Sequence, residues 1–111
     1  MTRIEQINKN IKTFERMISI FNILLICIDN QEINEKLIYT KNLVKELKNN
    51  YELYLEQENI ILFNKIDNDL FTINNLINEL KEDLFNKFKL VSIVYLDNLK
   101  DEELIIFYNN L

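Results

Sequence analysis

An all-α fold is what this sequence predicts: an antiparallel bundle of three long helices, plus one or two short C-terminal helices. Three observations predict it. Apolar residues recur at alternating steps of three and four along three separate stretches, the seam of helices packed on helices. Gly and Pro are absent from all 111 residues, so nothing punctuates those stretches internally. Polar clusters at Asp29-Asn30 and from Leu55 to Asn59 supply the breaks between them. A chain of this length supports a single core, so residues 1–111 are read as one domain.

The first seam is Ile4, Ile7, Ile11, Phe14, Ile18, Phe21, Leu25 and Ile28. Thr2 is placed to cap this helix, with Glu5 three residues on as its capping-box partner. Its first half has a polar back, carried by Glu5, Lys9, Lys12, Glu15 and Arg16. Its second half does not, because Ile20, Ile23, Leu24 and Ile26 lie off the seam. A helix apolar all round has to be covered all round. The expected cover is either the C-terminal segment or a second subunit, the latter making a homodimer through the apolar half of helix one.

Asn30 is read as the stop of the first helix, with Gln31 or Glu32 leading into the second. There Leu37, Thr40, Val44, Leu47, Tyr51 and Tyr54 keep the rhythm, and the two Tyr hydroxyls need solvent or a partner. The phase slips between Leu55 and Asn59, which sets the second turn there. The seam resumes as Phe63, Ile66, Leu70, Ile73, Ile77, Leu80 and Leu84. It passes unshifted through Asp67-Asn68-Asp69, so these residues are read as lying within a continuous or kinked helix. Beyond Leu84 the spacing changes to Phe88, Val91 and Tyr95. Leu90–Leu96 is read as a buried helix rather than a strand, since no second strand is there to pair with it. Asp97-Asn98 ends it. Asp101 caps a last short helix whose Leu104, Ile105, Ile106, Phe107, Tyr108 and Leu111 are expected to cover the bare half of helix one.

The absences narrow the chemistry. Without Gly there is neither a phosphate-cradling loop nor a dinucleotide fingerprint. Without His there is no imidazole base, triad or metal ligand. Asp67-Asn68-Asp69 lacks the Gly and the closing acid of a calcium loop. The single Cys27 lies in the most apolar run and is read as a small core residue. No metal, cofactor or catalytic set is expected, and the chain is read as no enzyme. Met17–Ile28 is too short and too interrupted for a membrane span, so a cytoplasmic protein is expected, in the host cell cytoplasm if a phage encodes it. The preference for Ile, Asn and Lys, with Ala missing, fits an AT-rich genome of a bacterium, phage, plasmid or virus.

The net charge is −5, and it is uneven. Residues 51–85 carry Lys65 and Lys81 against Glu52, Glu56, Glu58, Asp67, Asp69, Glu79, Glu82 and Asp83. Such a face repels nucleic acid and favours a basic protein surface, with Tyr51, Tyr54, Phe63 and Phe71 as hydrophobic anchors. The competing reading is that these carboxylates only keep an oily protein in solution. The first functional expectation is a small interaction protein that blocks or modulates a larger partner. In size, composition and charge it is similar, in general character only, to a phage- or mobile-element-encoded inhibitor of a nucleic-acid-handling enzyme, of the anti-CRISPR kind. The alternatives are a helical-bundle immunity protein or antitoxin, and a structural homo-oligomeric coiled-coil protein.

Overall fold

The computed structural model describes residues 2–26 and 30–88, and these form three helices: α1 (Arg3–Ile26), α2 (Gln31–Gln57) and α3 (Ile60–Phe88). Each begins on a side chain suited to the task. The Thr2 hydroxyl accepts from the Glu5 amide at 3.1 Å while the Glu5 carboxylate accepts from the Thr2 amide at 3.4 Å, closing the expected capping box. Asn30 Oδ1 accepts from the Ile33 amide at 2.9 Å. Asn59 Oδ1 accepts from the amides of Ile61 and Leu62 at 2.8 and 3.4 Å. Asn30 therefore starts the second helix instead of stopping the first. An Asn side chain reaches the exposed amides of a first turn as well as it ends a last one.

The second turn is tighter than the phase slip suggests. α2 runs to Gln57, and only Glu58 and Asn59 separate it from α3. Glu58 adopts left-handed backbone (φ 46, ψ 39) and its amide donates to the Tyr54 carbonyl. This position usually belongs to Gly, and in a chain without Gly a glutamate takes it at a cost of about 1 kcal/mol. Asp67-Asn68-Asp69 causes no break, and α3 is one helix through to Phe88.

Contacts between side chains fix the arrangement. Glu15 of α1 meets Lys48 of α2, and Ser19 and Asn22 share a groove with Lys41 and Lys45, so these two helices are antiparallel. Lys36 meets Asp83 while Glu46 meets Lys65, so α2 and α3 are antiparallel as well. Arg3 reaches Asp67, so α1 and α3 run parallel and touch each other directly. That is the up-down-up order that short connections impose.

The core is the three seams meeting. Ile7, Ile11, Phe14, Ile18 and Phe21 of α1 pack with Leu37, Val44 and Leu47 of α2. Ile66, Leu70, Ile73, Ile77, Leu80 and Leu84 of α3 complete it. Thr40, the one polar residue in the second seam, is fully buried and donates its hydroxyl to the Lys36 carbonyl at 2.8 Å. That bond discharges the cost of placing a hydroxyl in the core. Off the seam of α1, Ile20, Ile23 and Leu24 are buried within the single chain, and Ile26 is 64% exposed. The apolar half of α1 thus has most of its cover without a second subunit. The readings made for Cys27, Ile28, Leu90–Leu96, Asp97-Asn98 and the segment from Asp101 to Leu111 lie outside the described residues.

Candidate functional site

The carboxylates of residues 51–85 divide into two groups of different use. One group is spent inside the bundle. Asp67 is paired with Arg3, whose guanidinium also lies 5.8 Å from the Phe63 ring centre. Asp83 and Glu79 both face Lys36, at 2.9 and 3.7 Å. The hydrogen bond to Asp83 raises the Lys36 pKa against the opposing effect of burial. These pairs are partly exposed, so each is worth at most about 1 kcal/mol, but they set the register between helices.

Asp69 is the exception among the acids. Only 8% of it is exposed, and it sits at the α2–α3 interface near Asn50, Glu46 and Lys65. Burial pushes its carboxyl above the usual carboxylate range, and the neighbouring Glu46 charge pushes the same way. Lys65 opposes this, but its ammonium is drawn to Glu46 at 2.9 Å. Asn50 also favours the charged carboxylate, yet Asn50 Nδ2 and Asp69 Oδ2 are both buried without a hydrogen bond. Their attraction is therefore electrostatic, not a formed bond.

The second group stands free at the end of the bundle where α2 turns into α3. Glu52, Glu56 and Glu58 are exposed and have no ion-pair partner among the described residues. Glu52 and Glu56 line an open groove of about 320 Å³ with Asn49 and Leu53. Leu53, Leu55 and Ile60 are exposed at the same end. Glu56 lies in the last turn of α2, where the helix dipole is negative and a carboxylate costs stability; that turn holds no basic residue. Lys48, four residues before Glu52, is engaged with Glu15, Lys65 with Glu46, and Arg3 with Asp67. Glu82 is also exposed, but it lies on the last turns of α3, away from this end.

The anchors proposed from sequence separate in the same way. Tyr51 and Tyr54 are half-buried against the core, and the Tyr54 ring meets that of Phe63 at 5.6 Å between centres. Phe71 alone of the four is exposed, at 69%. Sequence reading passed over Leu53, Leu55 and Ile60 because they fall off the seam; their closeness in sequence to Glu52, Glu56 and Glu58 was the available signal. No three potential metal ligands converge among the described residues. No helix among them is long and apolar enough to cross a membrane. Comparison with protein-family models, curated proteins and solved structures gave no match.

Proposed function

We propose that this chain is a non-enzymatic binding protein that engages the basic surface of a larger protein. Within the acidic 51–85 region, Glu52, Glu56 and Glu58 supply the contact charges, and Leu53, Leu55 and Ile60 the contact area. One observation carries the reading: among the described residues these carboxylates have no ion-pair partner, and Glu56 stands where the dipole of its own helix disfavours it. Charge kept at a cost to the fold is charge available to a partner, which it steers over a distance set by salt. Apolar side chains beside it supply the desolvated area that makes association last. The partner class that fits is a nucleic-acid-handling enzyme, whose binding groove is basic, and blocking that groove makes the protein an inhibitor of the anti-CRISPR kind.

The test is interference in a living host. The chain is expressed in a bacterium whose active CRISPR system restricts a phage, and plaques are counted. Protection should fall with the natural sequence and return when Glu52, Glu56 and Glu58 are all changed to Gln. Restriction that is untouched by the natural sequence across several effector types removes the inhibitor reading. Inhibition that survives the triple change removes the acidic corner as its site.

A further inference from the structure

α3 carries a second seam, and it faces outward. Ile61, Asn64, Asn68, Phe71, Asn75 and Asn78 repeat the three-four spacing of the core seam, displaced by two residues. Two residues turn a helix by about 200°, which places this set opposite the core. All six are exposed, and Ile61 (76%) and Phe71 (69%) are the most exposed large hydrophobics described.

The stripe is also uncharged. Residues 60–78 contain three charged side chains, Lys65, Asp67 and Asp69. Each is committed within the chain: Lys65 to Glu46, Asp67 to Arg3, and Asp69 buried toward α2. The outward faces of the other helices are different, with Glu5, Lys9, Lys12 and Glu15 on α1 and Glu35, Lys45, Glu52 and Glu56 on α2. In a molecule of net charge −5, a neutral strip is a face along which two copies meet without like-charge repulsion.

We infer that this strip of α3 is a self-association surface that pairs with the α3 of a second copy in antiparallel fashion. A two-fold axis passing between Asn64 and Asn68 sets Ile61 of each chain against Phe71 of the other. The same axis sets Asn64 against Asn68 of the second copy. The apolar pair meets an apolar pair, and the amides meet amides, each able to donate and accept. Asn at a seam position is also the residue that fixes register and partner number in helix pairs. This inference stands apart from the acidic corner and uses none of its carboxylates.

Sedimentation velocity from 1 to about 200 μM, with the full chain, reads the association directly. A dimer is expected whose population does not fall between low and high salt, because no attractive charge pair crosses the interface while salt screens the repulsion of the net charges. Phe71→Glu should weaken it by at least about 100-fold, since the change is felt twice in a symmetric pair. Phe71 is exposed, so helical circular dichroism should not move. Leu53→Glu, a change outside the strip, should leave the dimer intact. In a Cys27→Ser background, Asn64→Cys mixed with Asn68→Cys should give far more disulfide than either variant alone. A chain that stays monomeric at the highest concentration overturns the inference, as does a dimer indifferent to Phe71→Glu. Cross-linking of each variant only to itself overturns the antiparallel arrangement.

Discussion

The two seams of α3 share one rhythm and differ in everything else. The inner one is built of Ile66, Leu70, Ile73, Ile77 and Leu80, all buried. The outer one, two residues out of step, is Asn with an Ile and a Phe, all exposed. The spacing places each set on one face of the helix and says no more than that. Side-chain chemistry decides which of them collapses with its own chain: aliphatic side chains gain free energy in any dry contact, while amides gain only against a partner that answers their hydrogen bonds.

The sharpest way to break this comparison is to cut each seam once. Ile73→Ala should cost about 2–5 kcal/mol in urea unfolding, because it opens a cavity at a fully buried position. Phe71→Ser, two residues away, should change the unfolding free energy of the dilute chain by no more than about 0.5 kcal/mol. Similar losses from both would mean that the outer seam is covered in the single chain.

A smaller effect tests the polar interruption beside the inner seam. Asp69→Asn should raise stability at neutral pH by about 1 kcal/mol, since it removes a buried charge whose Oδ2 has no hydrogen bond. The sign follows from the raised pKa of Asp69. The folded state holds that proton more firmly than the unfolded state does, so ionisation works against the fold. The advantage of the Asn variant is therefore full above the folded-state pKa. It fades as pH falls toward the ordinary carboxylate value, where the natural chain is protonated too. Thermal melts of both chains across that range measure it, and a gap that widens on acidification would refute it.

Of comparable or smaller size is the cap at the start of α2. Asn30→Ala should lower stability by about 1 kcal/mol through loss of its bond to the Ile33 amide. The smallest change belongs to the acidic corner. Glu56→Gln should raise the melting free energy by a few tenths of a kcal/mol, roughly the cost of one carboxylate at a helix C-terminus. A loss there would mean that Glu56 serves the fold.

The helices were legible because their signals are local. A three-four spacing and a Thr-Glu or Asn cap depend on residues within one turn of each other, and the positions from Ile7 to Phe21, Leu37 to Leu47 and Ile66 to Leu84 are buried as that spacing requires. The division of the carboxylates was not legible. Arg3 with Asp67 and Lys36 with Asp83 are separated by 64 and 47 residues, and which acid meets which base depends on the stagger of the helices. Asp69 and Asn50 each flank a seam, beside Leu70 and Tyr51, and that position was the available hint that both are shielded from water.

The corner joining α2 to α3 has a consequence for kinetics. Its two residues are already pinned, Glu58 through its amide to Tyr54 and Asn59 through its side chain to the first turn of α3. No slack is left there to be taken up when another molecule arrives. On the proposed binding role, a partner docking here would meet a template set in advance, so little ordering entropy would oppose capture, and differences among partners should show in how slowly they leave.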